Sequence, residues 1–284
     1  MKLSVHPVST TLLLGSCLAL ALSACQREPA PAQGAQPQPA AAAASLPASV
    51  EPADHADAAL QDVIETNERY IIGISYPKGL DRYPGLGAVL SGYANDARGE
   101  LMDAVEGFGN DVPSAPYELS LAFEIVSENS QMVVVAGNGS RYTGGAHGQP
   151  LIVRFVWLVA EQKLLPVQEL IPDATGWSTI SAYVAEQLQD AVAMRAEADK
   201  LEPAERAELL KDSGRMIEEG TQPSASNFEQ YVPIFDARGK IVALRFVFPP
   251  YQVGPYADGV QQVEVPAGLL YPHIAPAYLE LFAH

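Results

Sequence analysis

Tyr117, Leu119, Leu121, Phe123 and Ile125 are apolar, and Glu118, Ser120, Ala122 and Glu124 stand between them. Successive side chains of an extended strand point to opposite faces, so this run commits the chain to a sheet buried on one face and wet on the other. Tyr70, Ile72, Ile74 and Tyr76 alternate in the same way, and Pro77-Lys78-Gly79 closes that strand. Met132 to Ala136 reads as a further strand, and the nearly continuous apolar run Leu151 to Val159 as a central one. Phe228 to Phe235, a turn at Asp236-Ala237-Arg238-Gly239, and Ile241 to Phe248 form a hairpin, and Val260 to Val265 is one more strand.

Helices stand between these strands. Leu86, Leu90, Tyr93, Ala97, Leu101, Val105 and Phe108 recur at three- and four-residue steps, with Asn95, Asp96, Arg98, Glu100, Asp103 and Glu106 on the other side. That is an amphipathic helix. Trp177 to Arg195 reads as a second, with Ile180, Val184, Leu188 and Val192 on one face, and Pro203 to Glu218 as a third. Asp57 to Thr66 reads as a short helix or turn, and short helical turns near Leu269 and Tyr278 finish the chain. Strands come in runs rather than alternating strictly with helices. The fold class is therefore α+β, a largely antiparallel sheet with two or three packed helices.

The N-terminal fifth follows other rules. Lys2, an apolar run to Ala24 and the small residues Leu22-Ser23-Ala24 before Cys25 have the parts of a secretory signal. The run is too short to span about 30 Å of hydrocarbon. A Cys directly after Leu-Ser-Ala resembles the lipobox of bacterial lipoproteins. The resemblance implies a signal peptide over 1–24, diacylglyceryl lipidation of the Cys25 sulfur and acylation of the new N-terminus. Gln26, rather than Asp, resembles the sorting pattern for the outer membrane facing the periplasm. Residues 25–56 are rich in Ala, Pro and Gln, with Ala40 to Ala44 unbroken, and contain no aromatic side chain. Such a segment cannot repay the entropy of ordering and reads as a tether. Loss of 1–24 would remove Cys17 and leave Cys25 alone, so no internal disulfide is expected.

Thirty-four acidic residues against 17 basic ones give a net charge of −17. Phosphate backbones need clustered Lys and Arg, so no nucleic-acid partner is expected; long-range steering of a cationic partner is.

One segment is unusual. Gly137 to Gly148 holds five glycines in twelve residues and presents Tyr142 and His147. It has neither the dinucleotide fingerprint nor the phosphate loop, and Gly139-Ser140-Arg141 lacks the frame of a nucleophile elbow. Tyr142-Thr143-Gly144-Gly145-Ala146-His147 closely resembles the Tyr-x-Gly-Gly-Ala-His loop of the paired extracytoplasmic domains in RsiV-like anti-sigma factors and PdaC-like peptidoglycan deacetylases. Both members of that pair are domains of unknown function (DUF4163 and DUF3298). Phe155 to Leu158, Lys163 to Ile171, Val263 to Pro266 and the run Phe246 to Gly259, with Tyr251, Pro255, Tyr256 and Gly259, are similar to the rest of the pattern.

The resemblance implies two halves, PdaC-like over 57–150 and RsiV-like over 151–284. In the anti-sigma factors this region is a receptor for lysozyme. In the deacetylases it accompanies a separate catalytic domain, which these residues do not contain. The expectation is thus a cell-envelope lipoprotein with a non-catalytic binding domain for lysozyme-like cationic proteins or peptidoglycan. Tyr142, Gly144, Gly145, His147 and Tyr256 are the candidate contacts. The alternative is an envelope hydrolase acting on peptidoglycan with His147 in the active site, helped by Tyr142 or Asp258. No cofactor or metal is expected, since His55, His147, His273 and His284 are scattered.

Overall fold

A computed structural model of the chain describes residues 60–109 and 111–283. The signal peptide, Cys25 and all of the tether lie outside these residues. None of the described helices is long and apolar enough to cross a membrane.

The described chain begins with a hairpin, β1 (Val63–Thr66) against β2 (Tyr70–Ser75). Its turn is set by Asn67, whose side-chain oxygen accepts the N–H groups of Arg69 and Tyr70 at 2.8 and 3.0 Å. Residues 63–66 are thus a strand and not the expected helix or turn. The β-branched run Val63-Ile64 finds a partner in β2, which lies close by but cannot be seen from the segment alone.

The chain then leaves the sheet through α1 (Pro84–Gly107), with Pro84 in its first turn, and returns as β3 (Tyr117–Glu128), parallel to β2. Antiparallel neighbours follow: β4 (Met132–Tyr142), β5 (Gln149–Leu158) and the two-residue β6 (Lys163–Leu164). The six strands lie in chain order, and β2–β3 is the single parallel contact among them. The 150/151 division does not follow this sheet. β5 pairs with β4, β6 pairs with β5 through Trp157↔Leu164, and both belong to the first sheet.

α1 buries Leu86, Leu90, Tyr93, Ala97, Leu101 and Val105 on that sheet, whereas Phe108 is 40% exposed. Against them stand Leu119, Leu121, Phe123, Val133, Val135, Val153, Phe155 and Trp157. At about 1.5–3 kcal/mol per fully buried large side chain, this contact holds α1 in place.

After a short turn, α2 (Val167–Leu170), come α3 (Ala174–Ala198) and α4 (Pro203–Gly220). Asp173 caps α3 by accepting the Gly176 N–H at 2.6 Å. Glu205 reaches back to the Glu202 N–H at the start of α4. A second, antiparallel sheet is made of β7 (Tyr231–Phe235), β8 (Ile241–Phe248) and β9 (Gln261–Pro266). Phe228 precedes β7 in a 3-10 turn (Ala225–Phe228). Its ring stacks on Trp177 of α3 at 5.5 Å and meets Phe246 edge-on at 5.2 Å. The short helix α5 (Ala267–Leu270) and 3-10 turns to Leu281 close the chain, as expected.

The second core joins both sheets. Met132 and Val134 of β4 and Val156 and Leu158 of β5 turn their faces away from α1 and pack with Ile180, Val184, Phe246 and Phe248. At the junction the Gln230 side-chain carbonyl accepts the Arg154 N–H at 2.7 Å, while its backbone carbonyl accepts Val247 N–H at 2.8 Å. Beside it, the buried Tyr231 hydroxyl donates to Leu165 O at 2.7 Å. Burial pushes that phenol well above its ordinary pKa.

Candidate functional site

β4 runs through the first part of the glycine-rich segment. Its ladder with β3 continues to Tyr142 and that with β5 to Arg141, so only 143–148 remain as a loop. Gly144 and Gly145 take φ of +102° and +98°, which other residues rarely adopt, and the Tyr142 hydroxyl donates to Gly145 O at 3.2 Å. Arg141 steadies the strand end by donating to Gln149 Oε1 at 2.7 Å and pairing with Glu100 of α1. Burial pulls the Arg141 pKa down.

The loop delivers His147 to a second loop, 249–260, between β8 and β9. The His147 ring stacks on Tyr256 with centroids 4.2 Å apart and 13° between planes. Its Nε2 lies 2.5 Å from the Tyr251 hydroxyl. Tyr251 and Tyr256 are 5.6 Å apart. His147 is exposed and Tyr256 is 38% exposed. Three rings from two distant segments thus make one surface cluster. Tyr142 stays on its own loop, bonded to Gly145 rather than to His147.

Tyr251 stands in the run that resembles the family signature, where the sequence places it with Tyr142 and Tyr256 as a candidate to line a groove with His147. It has φ +75°, a left-handed conformation costly for a residue with a Cβ. Such strain persists where its surroundings over-determine it. Here they do: Tyr251 N–H donates to Gly254 O at 2.9 Å, and Gln252 Nε2 donates to Gly220 O at 3.0 Å and Asn227 O at 2.8 Å. Val253 anchors the loop in the second core.

Asp258 does not orient His147. Its Oδ2 pairs with Arg195 of α3 at 2.9 Å, which fastens the Tyr256–Asp258 turn to the helix. His147 therefore has a phenol as its side-chain hydrogen-bond partner and no carboxylate behind it. Flat π faces with one hydroxyl suit stacking on planar or cationic groups. Among the described residues no group of three His, Cys, Asp or Glu comes together to hold a metal ion.

Comparison with known proteins bears on the second half. Residues 171–268 match a family described as "Protein of unknown function (DUF3298)". The match includes the Tyr251–Tyr256 loop and leaves the Tyr142–His147 loop outside. Two solved structures described as DUF3298 family proteins are similar to the chain. One, from Pseudomonas aeruginosa PAO1, is 16% identical with a TM-score of 0.49, covering 79% of this chain and 94% of that one. The other, from Bacteroides fragilis NCTC 9343, is 15% identical with a TM-score of 0.47, covering 77% and 93%. No curated protein matches the chain.

Proposed function

We propose that the chain, whose residues 171–268 are a DUF3298 domain of unknown function, is a non-catalytic binding lipoprotein of the cell envelope. In this reading Cys25 carries the lipid, 25–56 is the tether, and the protein sits at the outer membrane facing the periplasm. The segment from 57 into the first sheet is the DUF4163-like partner. The ligand is a lysozyme-like cationic protein.

The observation that carries this reading is the exposed stack of His147, Tyr251 and Tyr256. Cation–π contacts with Arg or Lys contribute about 0.5–1 kcal/mol at exposed sites and about 2 kcal/mol when desolvated. The acidic excess of the chain steers such a partner toward it. Tyr142, Gly144 and Gly145 shape the loop that holds His147, and Glu118 lies opposite Tyr142 in the ladder.

The test is capture of lysozyme by the purified protein at rising salt, with Tyr256→Ala and His147→Ala beside the wild type. Binding that weakens with salt and falls about tenfold in each variant is expected. Unchanged binding in a folded double variant refutes the site. Turnover of muropeptides that vanishes in His147→Ala would replace this reading with the hydrolase. Mass spectrometry of the native N-terminus tests the lipid at Cys25.

A further inference from the structure

A cleft of about 340 Å³ lies between the two sheets, away from the aromatic cluster. Ala136, Asn138 and Arg154 line it from the first sheet, and Val232, Arg245 and Val247 from the second. Two arginines and no acidic residue face it, in a chain with twice as many acidic as basic side chains.

Arg154 is the unusual member. The residue is 7% exposed, yet among the described residues no carboxylate pairs with it. Its Nη1 donates to three neutral oxygens, Val153 O at 2.8 Å, Asn138 Oδ1 at 3.0 Å and Gly137 O at 3.3 Å. Among the described residues, none of its hydrogen bonds uses Nε or Nη2. Burial lowers the guanidinium pKa. A buried charge without a counter-ion is costly, and those three bonds fix the plane of the fork. Beside it, Gln230 Nε2 is buried with no partner. At the rim, Arg245 spends Nε and Nη2 on Glu264 Oε1, at 3.0 and 2.6 Å, and is 39% exposed.

We propose that this cleft binds a small organic carboxylate bearing an apolar group, with the Nε and Nη2 edge of Arg154 as its bidentate partner. Such an edge matches the two oxygens of a carboxylate in one plane. Val126, Ile234 and Val247 supply an apolar wall for the rest of the ligand. A peptide C-terminus and a free carboxylic acid present the same group.

The experiment uses the full-length protein labelled with ¹⁵N-arginine. The Nε–Hε signals are followed by NMR while N-acetylvaline, isovalerate or N-acetylvaline amide is added. The Arg154 signal is assigned by its absence in Arg154→Lys. We expect saturable movement of that signal with the acids and none with the amide. Affinity should fall at least tenfold in Arg154→Lys, which keeps the charge and loses the fork, and a few-fold in Arg245→Gln. Tighter binding of N-acetylvaline than isovalerate identifies a chain terminus; equal binding identifies a free acid. If Arg154→Lys does not fold, Arg245→Gln and the amide control still decide. No saturable shift of any buried arginine signal, or an equal response to the amide, overturns the proposal.

Discussion

Gly220 ends α4 against the loop that carries Tyr251, and its replacement by Ala tests how that loop is held. A Cβ built there would lie 1.9 Å from Gln252 O and 3.0 Å from Val253 Cγ1. The obstacle is backbone, so the loop must move. Overpacking of this kind costs about 1–3 kcal/mol. Moving Gln252 also strains its two bonds to Gly220 O and Asn227 O, each contributing about 1 kcal/mol. At about 2–4 °C per kcal/mol for a domain of this size, Gly220→Ala should lower Tm by about 10 °C. The control is six residues away in the same helix. A Cβ on Gly214 meets nothing within 4 Å, so Gly214→Ala should raise Tm by the helix-propensity gain of about 1 kcal/mol. Thermal melts by circular dichroism measure both. NMR of the Tyr251 and Tyr256 rings should show large shifts in the first variant and none in the second. A Gly220→Ala melt within 1 °C or so of the wild type refutes the clamp.

Asp173→Ala removes the cap of α3 and should cost about 1 kcal/mol, read as a fall of a few degrees in Tm. Tyr231→Phe leaves Leu165 O without its buried donor and should cost about 1–3 kcal/mol by chemical denaturation. Glu229 supplies a pH signature. Burial raises its carboxyl pKa in the fold. The unfolded chain therefore releases that proton first, and stability falls as pH rises from the ordinary carboxylate value through the raised one. Glu229→Gln should thus stabilise at pH 7 and lose that advantage below the ordinary carboxylate range; an equal gain at all pH values contradicts the assignment.

Much of this architecture is legible in side-chain periodicity. The α1 stripe from Leu86 to Val105 and the alternation of Tyr117 to Ile125 hold because one buried face dominates each element. The β7–β8 hairpin was readable from Asp236-Ala237-Arg238-Gly239; Asp236 Oδ1 accepts the Arg238 and Lys240 N–H groups, at 2.8 and 2.9 Å. Pairings between distant segments were not. Nothing local says that β2 lies parallel to β3, or that Val63 to Thr66 is a strand. Glycines hid the end of β4, because Gly137 and Gly139 read as loop residues yet sit in a ladder closed on both sides. The loop chemistry put His147 and Tyr256 among the candidates, and the fold placed them in contact. Sequence alone does not show that Asp258 serves Arg195, or which of the candidate tyrosines, Tyr142 or Tyr251, bonds the imidazole.

The faces of β4 and β5 are divided between two partners, so neither half of the molecule is a finished object. A fragment stopping after Leu164 would leave Met132, Val134, Val156 and Leu158 in water. It would also strip the Arg154 N–H of its Gln230 cover. Such an apolar face, beside a β5 edge that β6 covers only at Trp157 and Leu158, invites association between copies. Shortened versions of this protein should therefore cloud and precipitate where the intact chain stays clear.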